Sequence, residues 1–141
     1  MRIGNGVVAA VLQSPVHGLL SGSTDLIRYT GHRSGRVIVT PTQYVTSGDD
    51  VVILVGRAES KAWWRNFNEP RDIDVLVRGT WRAMTAQVVL GAADPDTAAP
   101  LLETYLARFP RAAKMLGGEA RAQQLDHAVI VWCRPRDRGV L

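Results

Sequence analysis

The chain has 141 residues, 46% of them apolar and 21% charged, enough to bury a single core without disulfides or structural metals. Seventeen cations, fifteen of them arginine, stand against thirteen acids for a net charge of +4, which points to an anionic partner such as nucleic acid, acidic lipid or a phosphorylated cofactor. A single cysteine, Cys133, excludes an internal disulfide and has no neighbours spaced as metal ligands.

Residues 1–20, "MRIGNGVVAAVLQSPVHGLL", carry a short apolar run broken by Gln13, Ser14, Pro15 and His17. The run is shorter than the roughly 20 apolar residues of a membrane span and lacks a signal-peptide cleavage pattern. It reads as a helical segment, packed on the domain or lying on a membrane surface. The expected location is the cytoplasm, with membrane association through this segment as the alternative. No linker or repeat divides the sequence, so 1–141 is expected to form one domain.

A first strand is expected over 25–30, then a tight connection "GHRSG", then a second strand over 36–45 rich in β-branched residues. Pro41 inside the second run implies a sheet edge or a bulge. "SGDD" is a turn, and 51–55 is a short, wholly apolar strand. The period then changes. Ser60 can cap a short helix whose Trp63, Trp64 and Phe67 share a face. "DIDVLVRG" alternates, with Ile73, Val75 and Val77 on one side and Asp74 and Arg78 on the other, and 81–90 is the next strand.

"GAADPDTAAP" breaks the pattern. Leu101, Leu102, Tyr105, Leu106 and Phe109 then keep helical spacing until Pro110. Further helix is expected between Arg111 and Leu125, and "HAVIVWCR" closes the chain as a buried strand. Five strands, a helical insertion and a returning sixth strand point to a small antiparallel barrel with helices outside it.

The sequence has no Walker phosphate loop, no His-Glu-x-x-His, no nucleophile elbow and no Cys-x-x-Cys, so hydrolysis and metal catalysis have no visible machinery and no metal site is expected. The turn "TGHRSGR" is richer. Gly31 and Gly35 can adopt φ > 0 and expose consecutive amides; Thr30 and Ser34 add hydroxyls; Arg33 and Arg36 add charged donors. It is an anion cradle or a solvated hairpin tip. Gly56, Arg57, Lys61 and Arg65 follow an apolar strand at what would be the mouth of a barrel, where ligands bind, and the tryptophans there wall a flat ring or fill the core. Tyr44 and Tyr105 are candidate proton or hydrogen-bond donors to a substrate, unless they are satisfied core tyrosines.

"YTGHRSGRVIVTPTQY", "GRAESKAWWRNF" and "AVIVWCRP" occur in the order and at about the spacing of the deazaflavin-dependent nitroreductase family, and the chain resembles that family from about Leu26 to Pro135. The resemblance implies a six-stranded antiparallel split β-barrel of the flavin-reductase and pyridoxamine-phosphate-oxidase type with flanking helices. It implies an oxidoreductase that uses reduced coenzyme F420 as hydride donor to a quinone, nitroaromatic or other conjugated small-molecule acceptor. Carried over by position, Thr30, Gly31, His32, Arg33, Ser34 and Gly35 would hold the coenzyme's phosphate and polyglutamate tail. Gly56 and Arg57 would lie near the phosphate or ring, Trp63 and Asn66 match a Trp-x-x-Asn pattern, and Pro41 matches a proline that shapes strand two under the ring.

Family members known for nitroreduction carry tyrosines in the late helical segment, where this chain reads "ARFPRAAKML" with Tyr105 nearby. The alternatives are FMN or a haem-type ligand on the same barrel, or a non-catalytic cofactor carrier. A nucleic-acid partner is not expected, because the aromatics sit in apolar contexts and no nucleic-acid motif is present. Monomer and homodimer both fit the sequence.

Overall fold

Alternating burial along the strands curls one sheet around a core. The computed structural model describes residues 24–136, so the expectations for residues 1–20 lie outside the described residues. The strands are β1 (Thr24–Thr30), β2 (Val37–Gln43), β3 (Val45–Ser47), β4 (Asp50–Leu54), β5 (Arg71–Val77), β6 (Thr80–Leu90) and β7 (Val129–Pro135). They form one antiparallel sheet in the order β2-β1-β5-β6-β7-β4-β3. The two edge strands, β2 and β3, are separated in the chain by Tyr44 alone. The ends of the sheet are therefore tied to each other, and the sheet must bend into a split barrel.

Seven strands replace the expected six. The run read as one strand over 36–45 breaks at Tyr44, a buried residue whose ring turns into the barrel core. Beyond the break, β3 pairs with β4 while β2 pairs with β1. Pro41 does sit on an edge strand, opposite Leu26, where its missing N–H costs no ladder bond.

The barrel interior is filled by Ile27, Tyr29, Val51, Ile53, Ile73, Val75 and their neighbours. The outer face of β4 and β7 is covered by a second core. There Val52, Leu54 and Ile130 meet Leu102, Tyr105 and Leu106 of helix α1 (Pro95–Arg108). β4 is thus buried on both faces, which accounts for the unbroken apolar run after Asp50.

α1 begins earlier than its periodicity implied. Asp94 accepts a hydrogen bond from Thr97 N, and Pro95 occupies the first turn, where a missing N–H is harmless. The stretch that reads as a break is therefore a helix start. The helix expected between Arg111 and Leu125 is divided into a 3-10 helix (Pro110–Leu116) and α2 (Arg121–His127). Between them Gly117 and Gly118 adopt φ of 77° and 78°, which ends the first piece. The final strand starts at Val129, since His127 is still in α2.

After β4 come two short 3-10 helices, Ala58–Ser60 and Trp63–Phe67, in place of the single helix expected there. Ser60 ends the first and does not cap the second; its hydroxyl donates to the Arg57 carbonyl at 2.9 Å. Phe67 is buried in the barrel core, and Trp63 and Trp64 pack against it half-buried. Trp63 and Phe67 meet edge to face with ring centres 6.4 Å apart, and Trp64 Nε1 donates to the Ala58 carbonyl.

Candidate active site

The β1–β2 turn and the second 3-10 helix are latched by one side chain. Asn66 donates from Nδ2 to the Trp63 carbonyl at 2.8 Å, which fixes its amide orientation. Its Oδ1 then accepts both the backbone N–H of His32 at 2.8 Å and His32 Nδ1 at 2.6 Å. With Oδ1 committed as acceptor, the proton must sit on Nδ1, leaving Nε2 to face outward. Asn66 thus sets both the position of the basic turn and the tautomer of its histidine.

The turn is built differently from the expected cradle. Gly35 has φ of 69°, but Gly31 does not require the left-handed region. Gly31 is needed because a Cβ there would meet Ser34 Oγ at 2.9 Å and Ile38 Cδ1 at 3.0 Å. Its amide donates to the Arg36 carbonyl, the Gly35 amide to the Gly31 carbonyl, and the Arg36 amide to Ser34 Oγ. Arg33 and Ser34 lie at the tip of the turn, between these bonds.

Two clefts flank this region and share one wall. The first, about 720 Å³, is bounded by Gly31, His32, Arg33 and Ser34 on one side and by Trp63, Arg65 and Asn66 on the other. The second, about 640 Å³, runs along β2 from Thr40 to Gln43, past Gly56, Arg57 and Lys61, to Tyr105 and Met115. Trp63 lines both. Arg33, Arg57, Lys61 and Arg65 line the pair of clefts, and among the described residues no carboxylate does, so the joined space is a positive trough with an aromatic divider.

Local backbone serves this arrangement. Arg57 has φ 53° and ψ 50°, a left-handed conformation that costs a non-glycine residue of the order of 1 kcal/mol. It turns the chain out of β4 and into the wall of the cleft. Gly56 before it lies under Met115, whose sulfur and terminal methyl would be 3.0 Å from any Cβ. Arg65 lies over the Trp64 ring at 4.5 Å and donates to the Lys61 carbonyl, which holds its guanidinium at the rim.

The predicted site residues divide cleanly. Gly31, His32, Arg33, Ser34, Trp63 and Asn66 come together in the first cleft; Pro41, Gly56, Arg57, Lys61, Trp63 and Tyr105 come together in the second. Thr30, Gly35 and Arg36 support the turn but line neither cleft. Tyr105 is buried, its hydroxyl 3.4 Å from Gln43 Oε1. Burial, with a smaller contribution from Asp25, pushes its pKa up to about 12. It therefore serves the cleft as a hydrogen-bond donor rather than as a proton source near neutral pH. Tyr44 lines neither cleft: its hydroxyl hydrogen-bonds with Arg78, and burial raises its pKa.

Sequence reading missed Thr42, Gln43 and Met115, all of which line the second cleft. The first two follow Pro41 on β2, and an edge strand at a barrel mouth was signal enough to find them. Met115 comes from a 3-10 segment that carried none. Among the described residues no group of His, Cys, Asp and Glu could hold a metal ion, and no helix is long and apolar enough to cross a membrane.

Comparison with known proteins bears on the fold and the family. The family model of F420H(2)-dependent quinone reductases matches residues 8–107. Among solved structures, a domain-swapped dimer aligns at TM-score 0.64 and 14% identity, covering 94% of this chain and 96% of its own. An F420-H2-dependent reductase aligns at TM-score 0.62 and 13% identity, covering 79% and 94%. A protein from Listeria innocua assigned as a pyridoxamine 5'-phosphate oxidase aligns at 0.51 and 10%, covering 89% and 94%. These likenesses bear out the split barrel. No curated protein matches the sequence.

Proposed function

This chain belongs to the F420H(2)-dependent quinone reductase family, and on that premise we propose that it takes a hydride from reduced coenzyme F420 and passes it to a quinone, with nitroaromatics and other conjugated molecules as further acceptors. The observation that carries the reading is the positive trough: four cations, two adjacent clefts and one tryptophan between them. A coenzyme with a flat ring at one end and a phosphodiester and glutamates at the other needs that polarity.

The donor set fits the coenzyme. In this reading the amides of Arg33 and Ser34 and the side chains of Arg33 and Arg65 take the anionic portion, since charge-assisted bonds are the strong ones. Thr40, Pro41, Gly56 and Arg57 receive the ring, and glycine at 56 lets a flat group approach the backbone. Trp63 separates the two ends, and Asn66 keeps the turn in register with it. Gln43 and Tyr105, which also line the second cleft, orient the acceptor through hydrogen bonds. When bound, the coenzyme supplies the hydride; the protein's task is to orient the two partners and to provide a field in which they react.

The test is anaerobic turnover. Reduced F420 is mixed with a soluble naphthoquinone, and the return of the oxidised coenzyme's absorbance is followed. Enzyme-dependent oxidation that saturates in quinone supports the reading. A rate equal to the uncatalysed one, at enzyme concentrations that bind the coenzyme, refutes it.

A further inference from the structure

Delivering a hydride to a quinone leaves an oxyanion that must take up a proton, and among the described residues no carboxylic acid lines the second cleft. One lies directly behind it. Asp25 on β1 is opposite Thr42 on β2, fully buried, and its Oδ1 is hydrogen-bonded to Thr42 Oγ1. Its Oδ2 is buried with no hydrogen-bond partner. Thr42 itself is half-buried and forms part of the cleft wall. We propose that Asp25 and Thr42 form a proton relay, which passes a proton from the buried acid through the threonine hydroxyl to the reduced acceptor in the cleft.

The chemistry balances. A hydroxyl is both donor and acceptor. With Asp25 neutral, its O–H donates to Thr42 Oγ1, which frees the threonine hydrogen to donate into the cleft. As the oxyanion of the reduced quinone takes that hydrogen, Oγ1 takes the proton of Asp25. The carboxylate that remains accepts from Thr42, and it regains its proton from water after the product leaves. The hydride, which carries both electrons, comes from the coenzyme, and the second hydrogen of the hydroquinone comes from Asp25.

The surroundings keep Asp25 neutral and ready. An isolated buried carboxylate is expensive, and burial raises its pKa to about 7, against a smaller lowering by Thr42. Tyr44, Tyr105 of α1 and Cys133 of β7 interact electrostatically with it, and burial holds all three protonated. Arg78 is engaged with the Tyr44 hydroxyl. The hydrogen bonds that favour its charged form, from the Thr42 hydroxyl and from the Asp25 and Thr42 backbone, are outweighed by burial.

The proposal rests on the reading of the second cleft as the acceptor site, and two measurements separate them. The first uses the chain alone. On the acid side of about pH 7, infrared difference spectra should show the carbonyl band of one protonated carboxylic acid. That band should vanish in Asp25→Asn and shift in Thr42→Val. The second uses reduced F420 and the naphthoquinone. Both variants should bind F420 as wild type does by fluorescence titration and keep KM for the quinone. Both should lose about 10²-fold in kcat, and the fall of kcat above about pH 7 should disappear. Thr42→Ser should restore most of the rate. Absence of the band, or variants whose kcat and pH profile match wild type, overturns the relay. A wild-type chain that shows the band but binds no F420 overturns the cleft assignment, and with it the relay's destination.

Discussion

Replacing Asp25 with asparagine should make the protein's stability less sensitive to pH, and the size of the effect follows from the burial of one side chain. In the unfolded chain Asp25 ionises near its ordinary value of 3.8, whereas in the folded chain it holds its proton up to about pH 7. Below pH 3.8 both states are protonated and the group's contribution to stability is complete. As pH rises through that window the unfolded chain ionises first, so stability falls, and the loss is complete above the folded value. The gap from 3.8 to about 7 corresponds to about 4 kcal/mol at 1.4 kcal/mol per pH unit. Asparagine removes the titration and leaves an amide whose hydrogen-bonding shortfall is a constant offset of about 1–3 kcal/mol. Urea melts of both proteins across that window give the difference in unfolding free energy. The variant should gain steadily on wild type, by about 4 kcal/mol in all. Parallel stability profiles would mean that Asp25 ionises as an exposed carboxylate does, and the reasoning from burial would fail.

Three further substitutions probe the trough. Asn66→Ala removes the acceptor of two His32 bonds and a donor to Trp63; it should cost about 1–2 kcal/mol in a thermal melt and weaken coenzyme binding through a loosened turn. Gly31→Ala places a methyl 2.9 Å from Ser34 Oγ and should destabilise by about 1–3 kcal/mol, read from the same melts. Arg57→Gly relieves a left-handed φ of 53° and should raise stability by about 1 kcal/mol while lowering the turnover rate, so the two readouts should move in opposite directions.

Much of this architecture was legible because the sheet writes itself in period two. Ile73, Val75 and Val77 all face the barrel core as their alternation requires, and Asp74 on the other side pairs with Arg28. Leu76 departs from the simple pattern: it is buried on the outer face beside Leu26, under Val39 and Trp81. The break at Tyr44 was not legible, because no glycine or proline marks it; a buried aromatic side chain and the need of β3 to pair with β4 make the turn. The 3-10 geometry of Trp63–Phe67 was also hidden, since an apolar spacing over five residues fits either helix. Tertiary bonds decide there, above all the clamp of Asn66 on His32.

For the candidate site, residue types carried the reading further than spacing did. Arginines, glycines and hydroxyls in one short turn pointed to an anion, and the structure places that turn beside the tryptophan and asparagine from a segment more than thirty residues away. Tyr44 illustrates the opposite outcome. Its chemistry made it a candidate donor, but its hydroxyl bonds with Arg78 behind the cleft. Asp25 left a signal, a carboxylate at the start of an apolar strand, whose meaning depended on what lies across the ladder.

The central claim is that the positive trough holds the deazaflavin coenzyme, and the most direct test is equilibrium binding. Oxidised F420 is titrated with wild-type protein and with Arg33→Ala, following coenzyme fluorescence, with FMN titrated in parallel. The account predicts saturable binding of F420 at micromolar or lower concentration and no comparable binding of FMN. It also predicts about tenfold weaker F420 binding by Arg33→Ala, the loss of one charge-assisted contact. Equal affinity of the variant for F420, or binding of FMN alone, would contradict it.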